Sequence, residues 1–177
     1  LTSGNTSLGE SATDLTISAW VCPTDTFVTG AYIIGKNSTA GGWAAPWASP
    51  TLTLSGIAGL ITVGGATTNI NGAGFISTSP DKLVLGTWSL VAGTYVAATG
   101  VLTTYKDGDA LGSVTLAPSG SLAWGTHGQW MVGGLDQAGA AVTTCFPGMI
   151  QDVRIENVAR SAAYLLNMYR RGMGIVV

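Results

Sequence analysis

Asp152, Arg154 and Glu156 stand at alternate positions of the segment Met149–Glu156, and alternate residues of a strand project from one face. They are the nearest approach this chain makes to a catalytic carboxylate pair. An acid, a base and an acid in alternation also neutralise one another, and we read the set that way. Asp107 and Asp109 are two apart but flank Gly108, which makes them residues of a tight turn. His127, the only histidine, lies in the Gly-flanked loop Trp124-Gly-Thr-His-Gly-Gln-Trp130, with no Gly-x-Ser-x-Gly nucleophile turn to serve. Cys22 and Cys145 lack the paired spacing that zinc requires. Calcium uses hard oxygen ligands without fixed spacing. The acids available, Glu10, Asp14, Asp25, Asp81 and Asp136, give at most a Glu10–Asp14 site or an Asp136 site, so no metal and no other cofactor is assigned.

The aromatic residues offer a different chemistry. An indole presents a large rigid face with one N–H donor, suited to stacking on a sugar ring or anchoring a protein partner. Trp43 and Trp47 lie in the turn-rich stretch Asn37–Pro50, and Trp124 and Trp130 bracket His127. Candidate ligand-binding residues are therefore Trp47, Trp124, Trp43, Trp130 and His127. For Trp43 and Trp130, each beside an apolar strand, cover for the core is the favoured reading, whereas for Trp47 and Trp124 the two readings are even.

The elements that must position these residues are strands. Asp14–Cys22 and Met149–Glu156 carry the clearest period-2 alternation. In the latter, Ile150, Asp152, Arg154 and Glu156 are expected on one face and Gln151, Val153 and Ile155 on the other. The two segments are expected to pair antiparallel and close the fold. Further strands are read at 32–36, 51–55, 59–63, 86–95 and 130–133, with another at 67–70. A hairpin, 102–106 with 110–114, crosses Asp107-Gly108. Leu1–Thr13 reads as a surface arm or edge strand, and Trp20 as core. Ser161 is placed to cap a helix over Ala162–Arg171, with Leu165, Leu166 and Tyr169 as its buried stripe and Gly172 as its stop. Many short strands and one late helix define an all-β sandwich.

The order Leu15-Thr-Ile-Ser-Ala-Trp-Val21, Gly86-Thr-Trp-Ser-Leu-Val-Ala-Gly93, Tyr105-Lys-Asp-Gly108, Val132-Gly-Gly134, Phe146-Pro-Gly-Met-Ile-Gln-Asp-Val-Arg-Ile155 and Ala159-Arg-Ser-Ala-Ala163 resembles the laminin-G-like, concanavalin A-like jelly-roll superfamily. The resemblance covers most of the chain. It implies an antiparallel jelly-roll β-sandwich, with the Asp152-Val153-Arg154 stretch as sheet scaffold. That fold hosts lectins, adhesion modules, hydrolases and virion components, so it does not by itself define function. Hydrolases of this type that cleave β-glucans carry Glu-x-Asp-x-x-Glu or a close variant on one strand, which this chain lacks. Retaining chemistry needs carboxyls about 5 Å apart.

Composition narrows the partners. The 177 residues fit one domain, 1–177, with a full core. Only 9% are charged, against about 25% in ordinary domains, and mean hydropathy is +0.40. Gly, Thr, Ser and Asn interrupt every apolar run well short of the roughly 20 residues a membrane helix needs, so no membrane span is expected. A net charge of −2 with no basic cluster argues against nucleic acid. No charged residue occurs from Asn37 through Pro80, a composition suited to burial against another subunit. Two functions follow: a non-catalytic module recognising glycans or a protein partner at a cell or particle surface, or a structural subunit of an assembly such as a virion decoration or filament. A glycoside hydrolase ranks last. The corresponding location is extracellular or on a virion surface. If the first and last core strands pair, Cys22 lies near Cys145, and their register decides whether a disulfide is possible.

Overall fold

Nine consecutive buried residues form β1 (Leu15–Pro23), the strand around which the first sheet is built. Burial on both faces follows from what covers each. Leu15, Ile17, Ala19 and Val21 enter the core between two sheets, whereas Thr16, Ser18 and Trp20 project to the outer side, where the C-terminal segment lies over them. The computed structural model describes residues 14–26, 31–36, 50–55, 59–65, 75–116, 120, 122, 130–134 and 145–175. The segment Leu1–Thr13 and the expected strand at 67–70 lie outside these.

The remaining elements are β2 (Tyr32–Lys36), β3 (Thr51–Ser55), β4 (Leu60–Gly65), β5 (Phe75–Lys82), β6 (Ser89–Val96), β7 (Val101–Lys106), β8 (Asp109–Thr115), β9 (Trp130–Val132), β10 (Gly148–Glu156) and α1 (Ala162–Gly172). They make two five-stranded sheets, β10-β1-β6-β7-β8 and β5-β4-β3-β2-β9. Every strand pair within them is antiparallel. The inner faces supply one core, with Ile33, Ile34, Leu52, Leu54, Ile61 and Val63 meeting Ile17, Val91, Tyr95 and Leu102. The architecture is the all-β jelly-roll sandwich with one C-terminal helix that the sequence predicts.

Strand β5 was not anticipated. Its sequence, Phe-Ile-Ser-Thr-Ser-Pro-Asp-Lys, lacks alternation and contains Pro80, which reads as a strand breaker. The chain tolerates it because β5 is an edge strand, where a missing N–H donor is not needed by a second neighbour.

As expected, β1 and β10 pair antiparallel, from Thr16 opposite Glu156 to Pro23 opposite Gly148. The expected alternation of β10 fails at one point. The register shifts between Ser18 and Trp20, and Asp152 has φ of 48°, the mark of a bulge that inserts one extra residue. The extra residue changes the parity of the strand. Ile150 therefore joins Val153 and Ile155 against the core rather than sharing the face of Asp152, Arg154 and Glu156.

The hairpin turn follows its Asp-Gly signal. Asp107 and Gly108 both have positive φ, 55° and 94°, as a two-residue turn of the I′ kind requires. The Asp107 carboxylate also accepts the Leu90 N–H at 2.8 Å. Burial raises its pKa, partly offset by that hydrogen bond.

Helix α1 begins where predicted, with the Ser161 hydroxyl accepting the Tyr164 N–H at 3.3 Å. Its end differs. Gly172 is still helical, and the left-handed residue is Gly174, with φ of 71°. Gly172 has another role: a Cβ there would overlap the Trp20 indole. Leu165 is fully buried, as expected, while Leu166 and Tyr169 are only half-buried.

Candidate functional site

The charged set of β10 resolves into two ion pairs. Arg154 donates through Nε and Nη2 to the two carboxylate oxygens of Asp152, at 3.0 and 2.8 Å. Glu156 accepts from Nε and Nη2 of Arg160, at 2.8 and 2.6 Å. The Asp152 hydrogen bond is the main reason the Arg154 pKa is raised, and the Glu156 hydrogen bond plays the same part for Arg160. Both carboxylates thus face guanidinium groups rather than each other. The pairs do not present the two converging carboxyls that glycosidic cleavage demands.

The Asp152–Arg154 pair lines a cleft on the outer side of the first sheet. It has a volume of about 380 Å³, and β1 contributes Trp20, β10 contributes Asp152 and Arg154, and α1 contributes Tyr164, Asn167, Met168, Arg171 and Gly172. Trp20 forms the floor. Its ring stacks on Tyr169, with centroids 5.7 Å apart and planes 23° off parallel, and only 5% of the residue is exposed. The Arg160 guanidinium lies 4.3 Å from the centroid of the Tyr164 ring, a cation–π contact.

Thr16 ties this region to the sheet. Its hydroxyl donates to the Val158 carbonyl at 2.6 Å and accepts the Arg160 N–H at 2.9 Å. Nearby on the same strand, Ser18 Oγ is buried with no hydrogen-bond partner among the described residues.

Of the sequence-predicted binding residues, the structure describes one. Trp43, Trp47, Trp124 and His127 lie outside the described residues. Trp130 is described: it is 3% exposed within the core cluster and pairs with Lys36 across β2 and β9. Its indole packs in the interior rather than offering a face to solvent. The cleft was missed, although a signal for it exists. Tyr164, Asn167, Met168 and Arg171 are spaced i, i+3, i+4, i+7, one stripe of a helix beside the buried one.

Among the described residues no group of three or more His, Cys, Asp and Glu could hold a metal ion, and no helix is long and apolar enough to cross a membrane. The candidate disulfide is not formed: both thiols are free, Cys22 buried and Cys145 exposed. The register explains this. Cys22 stands opposite Met149, whereas Cys145 precedes β10, beyond a turn in which the Gly148 N–H donates to the Phe146 carbonyl at 3.0 Å. Cys145 instead bridges Tyr32 in the second sheet. In the unreduced folded protein, alkylation is expected to label Cys145 alone, and unfolding to add a second label on Cys22. A mass that stays two hydrogens short and unlabelled after unfolding would contradict this register.

Two five-stranded antiparallel sheets, a C-terminal helix on the outer side and β1 paired with β10 define a jelly-roll sandwich of the lectin type. The profile of the concanavalin A-like lectin/glucanases superfamily, in its laminin G form, matches residues 1–165, and the chain belongs to that superfamily. No curated protein sequence matches significantly. Solved structures with the same fold include a heptameric SAP-like pentraxin from Limulus polyphemus, at 16% identity and TM-score 0.64, covering 89% of this chain and 70% of that one. A sialidase CBM40 domain from Ruminococcus gnavus bound to α2,3-sialyllactose is similar at 15% identity and TM-score 0.69, covering 90% and 84%. Domain 4 of an extracellular arabinanase from Geobacillus stearothermophilus, in complex with arabinotriose, is similar at 16% identity and TM-score 0.62, covering 90% and 68%. At these identities the likeness is one of fold.

Proposed function

We propose that this chain is a single, non-catalytic glycan-recognition domain acting outside the cell or on a particle surface. The observation that carries the reading is the shared sandwich: domains of this fold have been solved with sialyllactose and with arabinotriose bound. The ion pairs support the non-catalytic part, because Asp152 and Glu156 are each held by an arginine and neither is poised as a nucleophile or as an acid. The loop tryptophans Trp43, Trp47 and Trp124, with His127, supply further stacking and hydrogen-bonding groups, though the reading does not depend on them.

The test is a panel of soluble oligosaccharides, assayed by calorimetry for binding and by chromatography for breakdown. Reversible binding of at least one saccharide with no cleavage products is expected. Turnover that disappears in Asp152→Asn or Glu156→Gln would overturn the non-catalytic assignment, and absence of binding across the panel would overturn glycan recognition.

A further inference from the structure

The cleft beneath α1 has a polarity that selects its ligand. Asp152 adds a carboxylate that repels anions, and the cleft also adjoins the C-terminal turn of α1, whose carbonyl dipoles bear partial negative charge. A cation is opposed by Arg154 and Arg171. With the helix end counting for about half a negative charge, the two guanidinium groups exceed the opposing charge by only about half a unit, so neither sign of ligand gains much from entering.

What remains is a mixed set of donors and acceptors. The fork to Asp152 uses two of the five N–H groups of Arg154. Asp152 retains acceptor lone pairs, and the Asn167 amide and Tyr164 hydroxyl both donate and accept. Arg171 has no ion-pair partner among the described residues and adds further donors. A hydroxyl is itself both donor and acceptor, and adjacent ring hydroxyls match the paired lone pairs and N–H groups of a carboxylate–guanidinium fork. Met168 and the edges of Tyr164 and Trp20 supply apolar wall for the C–H face of a ring. The volume of about 380 Å³ is near the small end of ligand sites, room for one or two sugar rings.

We infer that the α1–β10 cleft is a binding site for a neutral saccharide, held by vicinal hydroxyls on Asp152, Arg154 and Asn167. The inference rests on the glycan-recognition reading and locates that recognition on the outer side of the sheet, between β10 and α1. The ion pair is the centre of the site because it presents both partners in one fixed plane.

Calorimetry on the whole chain tests it, using the tightest-binding neutral oligosaccharide of the panel and an acidic counterpart. Asn167→Ala is expected to weaken association by about three- to tenfold and Arg171→Ala by about tenfold. Both residues are exposed, so the variants should keep the parent circular dichroism spectrum. Affinity for the neutral ligand should change little between low and high salt. If both variants bind like the parent while Trp47→Ala or Trp124→Ala abolishes binding, the cleft is overturned and glycan recognition stands. Preference for the acidic ligand, with steep salt dependence, would overturn the neutral class. No binding by the parent chain would overturn the glycan reading itself.

Discussion

Replacing Trp20 by Ala is expected to lower the free energy of unfolding by about 3–5 kcal/mol, the range for truncating a buried aromatic residue. Trp20 is 5% exposed, stacks on Tyr169 and packs so closely beneath Gly172 that the helix can approach only because that position lacks a Cβ. Little else of the helix is fully buried: Leu165 is its one such residue. Removing the indole should therefore free α1 before the sandwich unfolds, with loss of helical circular dichroism at lower denaturant than loss of the sheet signal. Trp20→Phe, which keeps a ring against Tyr169, should recover most of the loss. A cost of less than about 1 kcal/mol for Trp20→Ala, far below the range for buried tryptophan, would show that the helix is anchored elsewhere.

The second large effect concerns the contact between the sheets. Gly93 on β6 faces Val63 on β4, and a Cβ at Gly93 would overlap both methyl groups of Val63. Both residues lie where the inner faces meet, so the substituent cannot turn to solvent. Gly93→Ala is expected to destabilise by about 1–3 kcal/mol through overpacking. Because the cause is one named contact, Val63→Ala should relieve it. In a double-mutant cycle the pair should show a favourable coupling of about 1–2 kcal/mol, read from urea transitions of the four proteins. Additive losses would mean that the strain falls on the backbone rather than on Val63.

Much of this fold was legible because it depends on local patterns. The alternation in β1, the Asp107-Gly108 turn and the Ser161 cap each determine local geometry by short-range sterics or hydrogen bonding, and each appears where its residues predict. The misreadings arise where a distant partner decides. The bulge at Asp152 is a register event between β10 and β1, invisible in β10 alone, and it moves Ile150 to the other face. The pairing of β1 with β10 was legible, yet the register sets Cys22 against Met149, and both thiols are free. Gly172 looks like a helix stop in sequence, but its role is set by Trp20, roughly the whole chain away.

The cleft was hidden for a related reason. Asp152 and Arg154 were visible as a strand face, and Tyr164, Asn167, Met168 and Arg171 as residues of one helix. Nothing in either segment states that the helix lies beside that face. Trp20 supplies the join, and in sequence it reads only as a core tryptophan. Its burial on the outer side of the sheet, rather than between the sheets, is what seats the helix beside Asp152 and Arg154 and forms a site at all.

The most direct measurement of glycan recognition is an amide chemical-shift titration of the isotopically labelled chain with a neutral oligosaccharide that it binds. The account predicts saturable shifts concentrated at residues 152–154 and 164–172, with the Trp20 indole N–H moving in step and the β3 and β4 amides unchanged. A spectrum that stays constant to saturating saccharide, across the panel, would contradict it.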